Sequence, residues 1–248
     1  LFVARDGERL AFASELKALR PVLGPLRAND SALVASLLYV WVPETHCALE
    51  GAEKFPVGHY GVIEPGGPLQ FTPYNTHADA RSAPATEEPT LDDLRGVLED
   101  SVAAHMVADV PVSTFLSGGL DSSLITVLAK RHAGTLDAYC IGFEDDDKAG
   151  EAMPDDMTYA RKLAAQHDVR LHEIIMRADA VDHLPSMVDA LDEPIGDAAA
   201  INTFLICKAA RDAGVKVLLS GMGADEVFGG YRRHYACLLA DRYRRLPS

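Results

Sequence analysis

The sequence lacks the features that mark secreted, zinc-binding and membrane-spanning proteins. Its 248 residues hold four cysteines, which form no CxxC pair and stand at no zinc-like spacing from histidine. We therefore expect buried free thiols in a reducing compartment. No apolar run approaches the ~20 residues that a membrane span needs, and no signal peptide is recognisable. These absences predict a cytoplasmic protein that does not contact membranes.

Basic residues are also few in comparison with acidic ones. Lys and Arg together number 23 against 37 Asp and Glu, so the formal net charge is −14 at pH 7. Such a chain repels phosphate backbones, which makes nucleic acid an unfavourable partner. A nucleotide could bind only where local backbone dipoles or a metal ion offset the negative charge.

Residues 1–78 are predicted to be β-rich. Apolar stretches flank Asp6-Gly7, which is a strong hairpin signal, and further short stretches broken by Pro and Gly follow. A helix is expected to begin with Asp30 or Ser31 as its cap. The chain lacks an initiating Met and begins directly in a strand pattern, so we expect it to be an internal part of a longer protein.

From residue 90 onward, apolar strands alternate with amphipathic helices. Residues 79–89 are polar and carry no large apolar side chain, so they are predicted to be a linker. Strands are expected at residues 110–116, 136–143, 169–175 and 215–219. This alternation predicts an α/β fold, a parallel sheet with helices on both faces, and ligands in such sheets bind beyond the carboxyl ends of the strands.

The first of these strands leads into residues 117–123, Ser-Gly-Gly-Leu-Asp-Ser-Ser, and a helix follows. The glycines let the main chain approach a ligand, and N–H groups at the start of a helix form a nest for phosphate. Asp121 would repel phosphate unless a divalent cation lay between them, which indicates Mg²⁺. No Gly-Lys-Ser/Thr sequence of the Walker type follows, so the pattern favours holding pyrophosphate as a leaving group. The alternative is a Gly-rich turn with a capping Asp.

These seven residues resemble the signature of the PP-loop, or N-type, ATP pyrophosphatases. Three further segments resemble the glutamine-hydrolysing asparagine synthetase family: residues 12–19 (FASELKAL), 192–197 (DEPIGD) and 219–231 (LSGMGADEVFGGY). The resemblance covers nearly the whole chain. It implies the closing, β-rich part of an Ntn-type glutaminase domain over residues 1–78. It also implies a PP-loop synthetase domain, with an adenine-nucleotide-α-hydrolase-like fold, over residues 90–248.

In this family, ATP activates aspartate as β-aspartyl-AMP, pyrophosphate leaves, and ammonia released from glutamine attacks the adenylate. The resemblance implies ATP and pyrophosphate contacts at Leu116, Ser117, Gly118, Gly119, Asp121, Ser122, Ser123, Ile141, Gly142, Phe143, Ser220, Gly221, Met222 and Gly223. For Ile141 and Phe143, plain core packing is an equal alternative. Met222 stands where the family often has an acid, so a carboxylate other than aspartate is an alternative substrate.

The resemblance also implies roles for four further acids. Glu193 would be the base that helps deprotonate the attacking ammonia or the tetrahedral intermediate, and Asp197 would join Asp121 around Mg²⁺. Asp225 and Glu226 would bind the aspartate substrate, and Asp225 would do so by pairing with the ammonium group of the substrate. The alternatives are compensation of a helix dipole for Asp225 and Glu226, and a loop-and-cap pair for Glu193 and Asp197.

Two features of the family have no counterpart in the sequence. The nucleophilic N-terminal Cys of the glutaminase is missing, because Cys47 stands in unrelated surroundings, and so is a lysine well downstream of Tyr231. Lys208 and Lys216 lie too early to replace that lysine. We therefore predict that the isolated chain binds ATP·Mg²⁺ weakly and makes no asparagine.

Three functions stay open on the sequence alone. The first is a glutamine-hydrolysing asparagine synthase that uses ATP, aspartate and ammonia from glutamine. The second is a related amidotransferase or β-lactam-synthetase-like enzyme that adenylates another carboxylate, and the third is a catalytically incomplete ATP-binding module. A tRNA-thiolating enzyme is disfavoured because it would need a basic surface. The sequence leaves a homodimer open.

Overall fold

The computed structural model describes residues 1–7, 9–44, 46–64, 66–74, 89–143 and 156–244. The described residues form two compact units. The first unit takes in the residues between Leu1 and Glu88 together with Asp179–Ile201, and the second takes in Pro89–Ala178 and the residues from Asn202 onward. The predicted linker, residues 79–89, lies outside the described residues except for Pro89. The domain boundaries given above therefore stay predictions.

The first unit is built on two small antiparallel sheets. One sheet has the order β2-β1-β3 and the other pairs β4 with β5. These strands are β1 (Phe2–Asp6), β2 (Arg9–Ala13), β3 (Ala52–Lys54), β4 (His59–Val62) and β5 (Gln70–Pro73). The hairpin predicted at Asp6-Gly7 is confirmed, since Asp6 pairs with Arg9 and Gly7 adopts φ +59°.

The first unit also contains helices. They are α1 (Arg20–Leu23), α2 (Asp30–Tyr39) and α6 (Leu184–Leu191), the last of which comes from the later part of the chain. The predicted cap of α2 was wrong by one residue, because the side chain of Asn29 accepts the N–H of Ala32 at 3.3 Å. The core of this unit gathers Leu16, Leu19 and Ala32 against β1 and β3.

The second unit contains a four-stranded, wholly parallel sheet in the order β8-β7-β6-β9. Its strands are β6 (Val112–Phe115), β7 (Asp137–Phe143), β8 (Arg170–Met176) and β9 (Val217–Leu219). All four predicted strands are confirmed; β7 and β8 begin one residue later than predicted, and β6 and β9 begin two residues later. Pro111 offers no N–H to a ladder before β6. Before β9, the N–H of Val215 is bonded to Ala210 O at the end of a helix.

Helices cover both faces of this sheet, as predicted. They are α3 (Leu91–His105), α4 (Leu120–His132) and α5 (Asp156–Gln166) on one face and α7 (Ala199–Asp212) on the other. Two further helices, α8 (Ala224–Phe228) and α9 (Arg232–Arg244), follow β9 along the chain. Successive residues of a strand point to opposite faces. Accordingly, Ala138 and Cys140 of β7 join the core under α3, α4 and α5, whereas Tyr139 packs on the other face against Ile206 and Ala210 of α7.

The expectation about the cysteines is confirmed in part. All four are free thiols, and Cys47 and Cys140 are buried. Cys207 and Cys237 are exposed, so the predicted burial was wrong for these two. Cys207 follows Ile206, and one step along a helix turns a side chain by about 100°, out of the buried stripe formed by Ile206 and Ala210. No helix among the described residues has the length and apolar character to cross a bilayer.

Candidate nucleotide-binding site

The strand order brings three of the predicted segments to one edge of the sheet. β6 lies between β7 and β9, with Thr114 level with Ala138 on one side and with Leu219 on the other. Because the strands are parallel, the segments that follow them leave at the same carboxyl edge. The loop of residues 117–123 therefore lies between the end of β7 and the loop of residues 220–223.

The first loop needs glycine at its second position. Gly118 adopts φ +81°, a conformation that side chains rarely take, and a Cβ there would lie 2.2 Å from the carbonyl oxygen of Asp156. Gly119 then caps α4 with extended dihedrals of −71° and 164°. Leu116, just before the loop, is fully buried, and its N–H bonds to Tyr139 O at 2.9 Å. The loop is thus attached to the core on one side and to the start of a helix on the other.

Two serines close this loop with hydroxyl hydrogen bonds. Ser117 Oγ and Ser122 Oγ are 2.9 Å apart, and the N–H of Ser117 donates to Ser122 Oγ at 3.1 Å. The N–H of Gly119 donates to Ser117 Oγ at 3.3 Å. Ser122 is buried, and the N–H of Ser123 donates to Gly119 O within the helix start. Donors of the loop therefore converge on oxygen atoms at the entrance of α4.

The second Gly-rich loop contacts the first directly. A Cβ on Gly221 would lie 2.8 Å from three atoms of the first loop, namely Asp121 C, Asp121 Cβ and Ser122 N. Ser220 Oγ accepts the N–H of Met222 at 3.1 Å, and Gly223 turns the chain into α8 with φ +97°. The side chain of Met222 is 85% exposed, so it does not form part of the protein core. The structure thus brings the two motifs together.

The end of β7 supplies the third side of this edge. Ile141 packs with the core under α7, and Ile141, Gly142 and Phe143 are all half-buried. Gly142 lies against α5, where a Cβ would come 2.7 Å from Met157 Cε. Core packing is therefore part of the role of Ile141, while the position of all three beside the loop leaves a purine contact as a prediction.

Asp225 and Glu226 lie in the first turn of α8, in the same unit as the loops. Asp225 packs so closely on the following turn that a Cβ on Gly230 would be 1.8 Å from its Oδ1. Glu226 Oε1 accepts the hydroxyl of Tyr231 at 2.7 Å, a bond that lowers the pKa of Glu226 and raises that of Tyr231. The guanidinium of Arg233 stacks 4.0 Å from the Tyr231 ring.

Glu193 and Asp197 belong to the first unit, whereas all the residues of the two loops belong to the second. Both oxygens of Glu193 are engaged: Oε1 accepts the N–H of Ala48 at 2.8 Å, and Oε2 lies 2.6 Å from Lys54 Nζ. Asp197 Oδ1 accepts the N–H of Ala199 at 2.9 Å, a bond of the helix-capping kind. Their roles as base and metal ligand stay predictions.

Sequence reasoning missed Lys54 and Asp156. Lys54 ends a short strand and carries no local motif, and Asp156 lies against Gly118 through its backbone carbonyl, which any residue could supply. No group of three or more His, Cys, Asp or Glu side chains able to hold a metal occurs within the described ranges. A metal held mainly by phosphate oxygens would need fewer protein ligands than that.

Known proteins of similar sequence share one description. The family model described as Asparagine synthase matches residues 93–248. Glutamine-hydrolysing asparagine synthetase 1 of Bacillus subtilis strain 168 is 31% identical over 249 residues, and the match covers 100% of this chain. The chain therefore belongs to the asparagine synthase family.

Two other relatives match over more than nine tenths of the chain. A putative glutamine-hydrolysing asparagine synthetase of Mycobacterium tuberculosis strain H37Rv is 35% identical over 258 residues, covering 100% of this chain. Glutamine-hydrolysing asparagine synthetase 3 of B. subtilis is 38% identical over 243 residues, covering 93% of this chain. The chain spans 38% of the length of the first two relatives and 39% of the third.

Proposed function

We propose that the protein is a glutamine-hydrolysing asparagine synthetase. In this reaction ATP activates aspartate as β-aspartyl-AMP, pyrophosphate leaves, and ammonia from glutamine attacks the acyl-adenylate. Family membership supports the proposal, and so do relatives that carry this name over the whole chain. The observation that carries it is the direct packing of Gly221 on Asp121 and Ser122, which joins the two motifs into one anion-binding edge.

The loop of residues 117–123 would hold the β- and γ-phosphates of ATP. Its N–H groups and the hydroxyls of Ser117 and Ser122 already meet at one place, and a phosphate oxygen arriving there can accept from the same donors. The positive end of α4 adds to this attraction. Ser220, Gly221 and Gly223 would contact the ribose or the α-phosphate, and the end of β7 would contact the adenine.

Mg²⁺ fits the donor set of this edge. Asp121 is half-buried in the first turn of α4, directly beside the proposed phosphate site. Mg²⁺ in nucleotide sites commonly takes one or two carboxylates and completes its shell with phosphate oxygens and water, so Asp121, joined by Asp197, would be sufficient. The ion would neutralise charge on the phosphates as pyrophosphate leaves.

The remaining acids would act on the amino acid and on ammonia. Asp225 and Glu226 carry negative charge at the start of α8, where the substrate ammonium could pair with them. Glu193 would take a proton from the ammonia adduct, because an adduct that keeps its proton expels the amine more readily than AMP. Without this proton transfer the adenylate would re-form.

An exchange assay tests the proposal. The complete protein is incubated with ATP, Mg²⁺ and labelled pyrophosphate, together with a panel of carboxylic acids, and formation of labelled ATP is measured. We expect aspartate to stimulate exchange, and Ser122→Ala to reduce it by roughly 10²-fold, as expected when a transition-state donor is lost. Ser101→Ala, on the exposed side of α3, is the matched control and should exchange at the wild-type rate.

The same panel separates the alternative substrate from the main proposal. Met222 projects into solvent from the second loop, where an acid could otherwise influence substrate choice. Exchange stimulated by another acid and not by aspartate would identify an enzyme that adenylates a different carboxylate. Absence of exchange with every acid would contradict adenylation altogether.

We also propose three properties of the protein, each with its own test. The isolated 248-residue chain should bind ATP·Mg²⁺ weakly and make no asparagine, which a binding titration and an amino-acid analysis of the products would check. A homodimer is testable by light scattering of the complete protein. A cytoplasmic location is testable by cell fractionation.

A further inference from the structure

Within the first unit, the acidic segment, residues 192–197, is bonded to residues from the N-terminal part of the chain at successive positions. Asp192 accepts the backbone N–H groups of Leu16 and Lys17 at 2.8 and 3.1 Å, and the side-chain ammonium of Lys17 at 3.0 Å. These contacts join residues more than 170 positions apart in sequence. Tertiary contacts therefore hold the segment, in addition to local bonds such as that from the N–H of Glu193 to Leu191 O.

The attachment continues beyond Asp192. Ile195 forms a β-bridge with Trp41, and the N–H of Gly196 donates to Val40 O at 2.6 Å. Val40 itself adopts φ +62° at the end of α2, a conformation that is costly for a β-branched residue. Contacts of the neighbouring residues thus fix the backbone on both sides of Glu193.

Glu193 is held at both carboxylate oxygens. Lys54 Nζ lies 2.6 Å from Oε2 and also donates to Val42 O at 2.7 Å, so the ammonium is itself anchored to the backbone. The side chains of Lys54 and Glu193 are only 19% and 12% exposed, which weakens screening by water. Two contacts from fixed donors leave the carboxylate little rotational freedom.

This arrangement still leaves Glu193 able to accept a proton. An ionised carboxylate offers about four lone-pair positions. The N–H of Ala48 and the ammonium of Lys54 occupy one on each oxygen. The thiol of Cys47 is a further hydrogen-bond partner of Glu193, and its pKa is raised by burial first and then by the charge of Glu193 and this hydrogen bond. The thiol therefore stays protonated and does not compete as a base.

We propose that Lys54 is a positioning residue for Glu193 in the attack of ammonia on the adenylate. The inference rests on the function proposed above, in which Glu193 is the base of that step. Lys54 acts through Glu193, by fixing the direction in which the carboxylate presents its remaining lone pairs.

The proposal predicts that one half of the reaction fails and the other does not. Formation of the adenylate needs no base at Glu193, so aspartate-dependent ATP–pyrophosphate exchange should persist when Lys54 is replaced. Amidation with ammonium chloride supplied directly should fall by roughly 10²-fold, the loss expected for a reacting group displaced by about 1 Å. A general loss of folding would reduce both activities together.

The experiment compares three variants of the complete protein. Lys54→Met keeps the aliphatic stem and removes the charge, and Lys54→Arg keeps a cation with several donors. Lys17→Met is the matched control, because it removes the ion pair between Lys17 and Asp192 while Asp192 retains two backbone donors. We expect selective loss of amidation in Lys54→Met, recovery of most of it in Lys54→Arg, and near wild-type amidation in Lys17→Met.

Several results would overturn the assignment. These are unchanged amidation in Lys54→Met, equal loss of exchange and amidation, failure of Lys54→Arg to recover activity, or the same selective loss in Lys17→Met. Failure of the underlying function is distinguishable, because the wild-type protein would then show no aspartate-dependent exchange.

Discussion

Replacing Gly221 with alanine tests the contact that joins the two Gly-rich loops. The added Cβ would lie 2.8 Å from the carbonyl carbon and Cβ of Asp121 and from the nitrogen of Ser122. Carbon atoms pack without strain at about 3.5–4.0 Å, so the loops would have to separate by roughly 0.7–1.2 Å. The neighbouring atoms are mostly backbone, and they cannot rotate away as a long side chain could.

The magnitude follows from this displacement. Overpacking at a well-ordered contact costs about 1–3 kcal/mol, part of which the loops would relieve by moving apart. A shift of about 1 Å at a reacting group typically lowers the rate by about 10²-fold. We therefore expect Gly221→Ala to lower aspartate-dependent ATP–pyrophosphate exchange by about that factor and to weaken ATP binding, measured by calorimetry on the complete protein.

Two other glycines separate crowding from backbone strain. Gly223 adopts φ +97° but has open space where the methyl group of an alanine would stand, so Gly223→Ala tests strain alone and should have an intermediate effect. Gly96 lies inside α3 with nothing within 4 Å, so Gly96→Ala should leave exchange unchanged and stabilise the helix by about 0.5–1 kcal/mol. Wild-type exchange in Gly221→Ala would refute the close approach of the loops.

Three further substitutions probe the second unit. Burial alone would raise the pKa of Asp137, but hydrogen bonds from His172 and Arg170 lower it below the ordinary 3.8. The ionised Asp137 therefore stabilises the fold, and this contribution should be lost as the pH falls below that value. Asp137→Asn should make the free energy of unfolding fall less steeply as the pH is lowered in the acid range. Thr126→Val should cost about 1–3 kcal/mol by stranding the buried hydroxyl of Thr114, measured by denaturant unfolding, and adding Thr114→Val should recover much of the loss. Asp121→Asn should raise the Mg²⁺ concentration needed for half-maximal exchange, whereas an unchanged Mg²⁺ requirement would remove it from the metal site.

Local patterns were sufficient to predict the second unit. Each parallel strand is a short apolar run, and the loop of residues 117–123 stands directly between a strand and a helix, so both follow from neighbouring residues. Boundaries were less certain where a neighbour supplies the decisive bond. Asn29, and not Asp30, caps α2, because Asn29 is the residue whose side chain reaches the N–H of Ala32.

Contacts between distant residues could not be predicted in this way. Sequence spacing identified the loops of residues 117–123 and 220–223 separately, but only the order of the strands shows that Gly221 meets Asp121. Glu193 and its partner Ala48 are separated by 145 positions, and no pattern along the chain connects them. Exposure of Cys207 likewise depends on which side of α7 faces the sheet.

The net charge of −14 is compatible with binding a polyanion because the field at the loop is set locally. At physiological ionic strength, exposed charges farther away than about 8 Å are largely screened. Within α4, Asp121 occupies the first turn and Lys130, Arg131 and His132 occupy the last, an order that offsets the helix dipole. This order favours α4 itself but places a negative charge where the phosphates would bind. A cation between Asp121 and the phosphates converts that repulsion into a bridge, so the loop should select ATP·Mg²⁺ over free ATP.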